Sequence, residues 1–452
     1  MRLPRSLPLG ALLITLAGCE LRDVLRDRMR AATPHERYAA GLEMTGLDQS
    51  ALGRTWLRAA DSVLARPLRI VPPYREAGYF PATEANAVAF RIDVRHGQHL
   101  SIDVLPIGDA DAPAPVLFVD LFERIEGGPP RRLTSGDSTG ARIRRNIDRD
   151  GWLLLRLQPE LLRTMRFTLT VQTSATLAFP LKGKDSRAVL SFWGASRDAG
   201  ARRHEGIDIF APRGTPAIAA AAGVVSAVQV TPLGGRVVWV WDTEHQQSLY
   251  YAHLDTQLVA RGDRVAVGDV VGLVGNSGNA QSTPSHLHFG VYRRGSGAVD
   301  PFPFVDDLPR PIATITADVG SLGQWRRVSA RSVVALDGLG TGATRLDPGA
   351  LLRAEAAQGG RYRVRTADGL AGWAAASALE DGRRPMATLR LTSGATLRLR
   401  PATGALSLGE LATGSSIELL GRAGSYARAR SGGREGWIEQ TALRSAASAS
   451  YQ

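Results

Sequence analysis

The sequence predicts a mostly β, multidomain chain, and three observations carry that prediction. Apolar and polar residues alternate from about Ala87 onward, a glycine-rich and β-branched stretch runs from about Phe179 to Pro303, and the C-terminal part repeats itself at a fixed offset. The 452 residues are too many for one ordinary domain and suit three or four. With 44% hydrophobic and 22% charged residues, the chain can fill sizeable cores and should confine disorder to linkers. The formal net charge is +12, and Lys182 and Lys184 are the only lysines, so nearly all the basic charge is arginine. Such a surface suits an anionic partner. No basic stretch is interleaved with aromatics and no nucleic-acid motif appears, which argues against nucleic acid.

At the N-terminus, Arg2 and Arg5 precede an apolar run from Leu7 to Gly18. That run has the length of a secretory signal core and is too short to cross a bilayer as a mature helix. It ends Leu16-Ala17-Gly18-Cys19, with the chain's single cysteine last. One thiol cannot close an internal disulfide. The four residues resemble the bacterial lipobox, in which the cysteine is lipidated and becomes the mature N-terminus. The resemblance implies a signal peptide over 1–18, a lipid anchor at Cys19 and a place in the periplasmic cell envelope. Glu20, standing where an aspartate would favour retention at the inner membrane, points to the outer membrane.

Residues 19–82 read as a tether followed by helices. Thr33, Pro34 and Glu36 make an N-cap, an N1 proline and a capping box. A second helix is expected from Asp48, with Leu52, Trp56, Ala59, Ala60, Val63 and Leu64 at helical spacing; Pro67 to Pro81 breaks the pattern. Over 83–176 the period is two. Val88, Phe90, Ile92 and Val94 alternate with polar residues, as do Leu100, Ile102 and Val104, and further strands are expected at Val116–Phe122, Trp152–Leu157 and Phe167–Val171. Short strands at this spacing predict an antiparallel β-sandwich, with His96 and His99 on its surface. In the C-terminal part, Tyr362, Gly369, Gly372, Trp373 and Leu379 reappear as Tyr426, Gly433, Gly436, Trp437 and Leu443, each pair 64 residues apart. Two small barrels over 318–381 and 384–446 follow, with Trp373 and Trp437 in their cores. They resemble tandem bacterial SH3-like modules, which would hold the chain on a polymer.

Five of the eight histidines fall between 204 and 288. His204 and Asp208 form an H-x-x-x-D pattern, and His286 and His288 form H-x-H. Gly206 to Phe210 is β-rich, so His204 and Asp208 should meet from a loop and a strand. On a strand, His286 and His288 project from one face, where one can bind a metal while the other faces a substrate beside it. The spacing alone does not choose between them. Two histidines and a carboxylate leave a fourth position open, which is the composition of a catalytic zinc site; closed structural sites usually rely on cysteine.

The wording around these patterns is specific. His204-Glu205-Gly206-Ile207-Asp208-Ile209-Phe210-Ala211-Pro212-Arg213-Gly214-Thr215-Pro216, Tyr251-Ala252-His253-Leu254, the glycine-rich run Gly268 to Gly278, His286-Leu287-His288-Phe289 and Asp300-Pro301 occur in order. Together they resemble the lysostaphin/LytM-type zinc peptidases over about 110 residues, within a domain at 179–306. The resemblance implies an antiparallel β domain that hydrolyses peptide cross-links of peptidoglycan. It implies Zn2+ held by His204, Asp208 and His288, with His253 and His286 as catalytic histidines. His245 is expected to be structural, and Glu205 to face away from the metal as a strand neighbour. Two departures are Gly290, where an acidic residue is common, and the lack of a tyrosine between Ser196 and Arg203. The competing expectation is a non-enzymatic regulator of other cell-wall enzymes; intact ligand positions favour the enzyme. A wall-anchored scaffold would need no metal.

Overall fold

The structure is a computed structural model, and it describes residues 32–108, 113–125, 127–137, 139–338 and 344–446. Cys19, the apolar run before it and the tether up to residue 31 lie outside the described residues. No helix among the described residues is long and apolar enough to cross a membrane.

The helix Pro34–Met44 begins with the expected capping box: the Thr33 hydroxyl accepts from the Glu36 amide at 3.2 Å, and the Glu36 carboxylate accepts from the Thr33 amide at 2.8 Å. The next helix is Ala51–Ser62. It starts later than Asp48, because Ser50 is the cap whose hydroxyl accepts from the Gly53 amide, and Asp48 falls in the short 3-10 turn Leu47–Gln49. Both helices pack against the strands that follow. Trp56 is fully buried against Phe118 and donates its indole N–H to the Pro159 carbonyl at 2.8 Å. His35 stacks on Trp56 and bonds Gln158 at 2.7 Å.

The sandwich packs two sheets around Phe90, Ile92, Leu100, Ile102, Leu121, Leu155 and Leu169. The alternation from Val88 to Val94 and from Leu100 to Val104 turns its apolar residues into this core. Two features differ from expectation. Leu68–Ile70 pairs parallel with Val88–Val94, so the sandwich is not purely antiparallel. Tyr74–Phe80, read as pattern-breaking, is a strand on which Tyr74 and Phe80 enter the sandwich core while Ala77 enters the core of the first repeat unit. A strand buried on both faces shows no alternation, and it hides from a period-two search. Gly78 on it lets the Phe167 ring lie where a Cβ would be 2.1 Å away.

That strand also joins two regions. Tyr74–Phe80 pairs with Met165–Ala175 in the sandwich and, through Ala77↔Ala357 and Gly78↔Ala356, with Leu351–Gln358 of the first repeat unit. One sheet therefore runs from the sandwich into residues 325–381. The second repeat unit is a separate six-stranded sheet with its own core of Leu397, Ile417, Leu419, Ala427 and Ile438. The repeat is visible in the strands: Leu351–Gln358, Arg361–Thr366 and Ala371–Ala375 correspond to Ser416–Ala423, Tyr426–Ser431 and Arg434–Glu439. The tryptophans are not in the unit cores. Trp437 packs with Leu351 and Tyr426 between the units, edge-on to Trp325, and Trp373 is half-buried under the Arg363 guanidinium.

Between sandwich and repeats in the chain lies a third β domain. Its sheet runs Val189–Ser191, Ile207–Phe210, His286–Arg293, Gln247–Gln257, Gly235–Asp242, Gly223–Thr231, Arg264–Val265 in spatial order. His96 is at the seam with the sandwich and is not a free surface residue: it packs edge-on to Phe304 and bonds Arg293, while Arg95 pairs with Asp300. His99 bonds Asn146 on the neighbouring strand.

Candidate metal centre and its cleft

Strand register assembles the centre. Ile207–Phe210 lies antiparallel to His286–Arg293 with Asp208 opposite His288 and Phe210 opposite His286. Cross-strand partners share a face, so these four side chains point one way while Ile207, Ile209, Leu287 and Phe289 point into the core. His204 arrives from the loop before the strand, its amide donating to the Ala195 carbonyl and its carbonyl accepting from the Gly194 amide. Gly206 beside it has no substitute: a Cβ there would stand 2.6 Å from the His288 ring.

His253 reaches the same face by a different device. Along Gln247–Gln257, Tyr250 and Ala252 line the cleft and Tyr251 is in the core, so alternation would bury His253. Its φ of 62° places it in the left-handed region and turns its ring onto the cleft beside His286. Such a conformation costs on the order of 1 kcal/mol or more in a non-glycine residue and marks a functional constraint.

The hydrogen bonds define which ring nitrogens are bare. His204 donates from Nδ1 to the Phe192 carbonyl at 3.0 Å, His253 from Nδ1 to the Ser277 carbonyl at 2.9 Å, and His286 from Nδ1 to the Pro284 carbonyl at 2.9 Å. A carbonyl only accepts, so each of these rings keeps its Nε2 lone pair for the cleft. His204 Nε2 is then 2.9 Å from Asp208 Oδ1 and 3.0 Å from His288 Nδ1, which is itself 3.0 Å from Asp208 Oδ1. Three ligand atoms gathered at this spacing fit a shared cation, and two imidazoles with one carboxylate suit zinc. His286 Nε2 stands farther off, 4.0 Å from Asp208 Oδ1.

Burial opposes ionisation of Asp208, yet the hydrogen bonds and charge of His204 and His288 outweigh it and hold the carboxyl far below its usual range. Burial lowers His253 to about 4, with His286 and His288 adding to the fall against the Ser277 carbonyl, so the ring is neutral at neutral pH. Burial likewise lowers His288, against Asp208.

Sequence reasoning missed Arg197. Its guanidinium donates to Asp208 Oδ2 and to Ser191 Oγ, both at 2.6 Å, from the two-stranded hairpin Ser196–Arg197 with Arg202–Arg203. Strands of two residues leave no periodic signal; that segment stood out only for lacking a tyrosine. Phe210 stacking on His286 and the tyrosines 250 and 292 in the wall were also unread. Glu205 is exposed on the cleft wall and makes no hydrogen bond to the site histidines. His245 bonds Asp242 at 2.8 Å in a hairpin turn, a local structural role. The cleft encloses about 450 Å³, and its lining comes only from residues between Ser191 and Tyr292.

A β domain carrying a buried His-Asp-His group beneath an open cleft is the architecture of a metallopeptidase. Residues 202–301 match the sequence model of Peptidase family M23. The chain is 36% identical over 137 residues to the L-Ala--D-Glu endopeptidase of Bacillus subtilis, covering 28% of this chain and 42% of that protein. It is 36% identical over 90 residues to the peptidoglycan DD-endopeptidase ShyC of Vibrio cholerae, covering 20% of each. It is 37% identical over 103 residues to the uncharacterized lipoprotein YgeR of Escherichia coli, covering 23% of this chain and 39% of that one. The chain thus spans less than half the length of these curated relatives.

Proposed function

We propose that the chain is a zinc-dependent endopeptidase that cleaves peptide cross-links of bacterial peptidoglycan. The observation that carries the reading is the convergence of His204 Nε2, Asp208 Oδ1 and His288 Nδ1 under a cleft open to substrate. His204, Asp208 and His288 would hold the metal, and His253 and His286 would act on the substrate from the same face. When bound, zinc acidifies water and polarises the scissile carbonyl. His253, neutral at neutral pH, offers its Nε2 lone pair to the attacking water's proton and returns that proton to the leaving amine. His286 Nε2, with its ring held by Phe210 and the Pro284 carbonyl, would accept a hydrogen bond from the attacking water and so orient it. The relatives named for endopeptidase activity support the reaction class. Cys19 would anchor the chain by lipid to the outer membrane, in keeping with the lipoprotein among its relatives. The repeat units, as SH3-like modules, would bind the wall polymer.

The test is incubation of the purified chain with defined cross-linked muropeptides, followed by mass analysis with and without chelator. New stem peptides that vanish with chelator and return with zinc are expected. Intact cross-links in every arm would overturn the enzyme reading in favour of a regulator of other wall hydrolases.

A further inference from the structure

Away from the metal centre, the open side of the sandwich carries a second built feature. Strands Arg131–Ser135 and Ala141–Asn146 are edges of the two facing sheets, and the space between them forms two cavities of about 530 and 740 Å³. Leu133 and Arg145 line both cavities, so they join into one trough.

Arginines are placed in it with care. Ala141, Ile143 and Arg145 lie opposite Val104, Ile102 and Leu100, which are all core residues. Arg145 therefore occupies an inward position where every predecessor on the strand is apolar. Among the described residues, neither it nor Arg142 has a hydrogen-bond or ion-pair partner. Arg145 is only half-buried, so its guanidinium stays open to an anion from outside. At the trough's end, buried Glu123 binds Arg131 through one carboxylate oxygen and Arg149 through the other, fixing both. Arg124 lies over the Trp152 ring at 5.4 Å, which holds the guanidinium plane and leaves its N–H edge free. Arg91 also covers Trp152, so the ring offers no free platform for a nucleobase. Thr134, Thr139 and Asp137 add hydroxyl and carboxylate groups between the arginines.

We propose that this trough binds an anionic glycan: a sugar polymer whose hydroxyls meet the threonines and whose spaced oxyanions meet Arg124 and Arg145. Guanidinium is the group that binds carboxylate or phosphate in bidentate fashion, and a joined trough suits a polymer better than a small ion. The trough reaches the seam with the catalytic domain. Asp148 lines it and stands 3.9 Å from Arg293, the last residue of the strand that carries His286 and His288. At the usual strand rise, Arg293 is about 17 Å from His288, within reach of one bound polymer. The inference does not depend on the metal centre. Inward charge on a sheet edge has one other use, blocking edge-to-edge pairing of copies, and the test separates the two.

The experiment measures binding of the full chain in detergent to fluorescein-labelled polygalacturonate, poly(ribitol phosphate), dextran and poly-L-glutamate, by anisotropy at fixed salt. The proposal expects binding to one or both anionic glycans and none to dextran; the carboxylate and phosphate arms identify the anion. Arg124→Glu with Arg145→Glu should weaken glycan binding by roughly tenfold or more, the scale of lost charge-assisted hydrogen bonds. Arg54→Glu with Arg58→Glu, two exposed helix arginines, changes net charge equally and should leave affinity within about twofold, as a surface change away from the site does. Arg145→Gln guards against misfolding by the double variant and should weaken binding in a protein with unchanged circular dichroism. Equal losses in both double variants would overturn the site in favour of general charge. Poly-L-glutamate binding as tightly as the glycans would overturn the ligand class. Unchanged affinity with new self-association on sedimentation would assign the arginines to edge protection.

Discussion

Two buried clusters of charged side chains divide the work of this chain, and they differ in one respect. At the seam of the sandwich and the first repeat unit, Glu76 is fully buried and accepts from the Tyr74 hydroxyl at 2.5 Å and from Arg363 Nη1 at 2.7 Å. There a cation meets an anion, and burial raises Tyr74 far above its usual range, so it stays a donor. At the metal centre, by contrast, His204, Asp208 and His288 bring three ligand atoms together at one point. The first cluster carries its own cation and fixes how two sheets meet, with both bonds on Glu76 Oε2 while Oε1 is buried without a hydrogen-bond partner. The second is complete only with a cation supplied from outside. Convergence of ligand atoms on one point, and not burial or an unmet valence alone, is thus what signals function.

The strongest way to break the comparison is to mutate both. Alanine at His204 or His288, or asparagine at Asp208, should abolish bound zinc and lower cleavage by more than about 10⁴-fold, since the electrophile is lost. Alanine at His253 or His286 should keep zinc and lower cleavage by about 10²- to 10⁴-fold. Zinc per mole and muropeptide cleavage check both; zinc lost from His286→Ala and kept by His288→Ala would reverse their roles. Arg363→Ala should leave zinc and specific activity unchanged but cost about 3–5 kcal/mol in urea unfolding, because Glu76 is left buried and unpaired. Glu76→Met with Arg363→Met should recover most of that loss.

A pH titration sharpens the same contrast. His253 is held at about 4 when folded, against about 6.5 when unfolded. Between those values the unfolded chain binds a proton that the folded chain does not, so stability is full above about 6.5 and falls as pH drops toward about 4. The whole effect is about 3 kcal/mol at 1.36 kcal/mol per pH unit. Urea unfolding in chelator should show this slope in the wild type, and a flatter one in His253→Gln. Parallel curves for the two proteins would remove His253 as the titrating group.

What the sequence made legible follows from where local pattern and final environment agree. Val88–Val94 alternates because one face is core and one is polar, and the 64-residue offset returns as matching strands. His204, Asp208, His253, His286 and His288 were legible through their neighbours, since glycine and alternation around them serve the same geometry. Tyr74–Phe80 was not legible, because its second face is covered by Leu351–Gln358, more than 270 residues away. Nor were the places of Trp373 and Trp437. A repeat specifies its strands, but what covers the outside of each unit depends on neighbours that only one copy has. Only the first unit borrows a strand from the sandwich.

The smallest expected effect concerns the charge the sequence reading overlooked. Asp208 uses its two oxygens differently: Oδ1 faces the histidine nitrogens and Oδ2 receives Arg197. A guanidinium on Oδ2 holds the carboxylate plane and directs a single oxygen at the metal position. It also lowers the negative charge available there, so orientation and charge act in opposite senses on affinity. Orientation should prevail, because the Arg197 side chain is about one-third exposed, where water screens its charge, while the geometry of its bond is fixed by Ser191 as well. Arg197→Ala should therefore weaken zinc binding by roughly 10- to 100-fold in chelator competition. Arg197→Lys, which keeps the charge but not the fork, should restore only part of it. Cleavage measured at saturating zinc should recover in Arg197→Ala, as it cannot in His253→Ala. A zinc affinity unchanged or tightened by Arg197→Ala would show that the arginine's charge, not its aim, is what Asp208 feels.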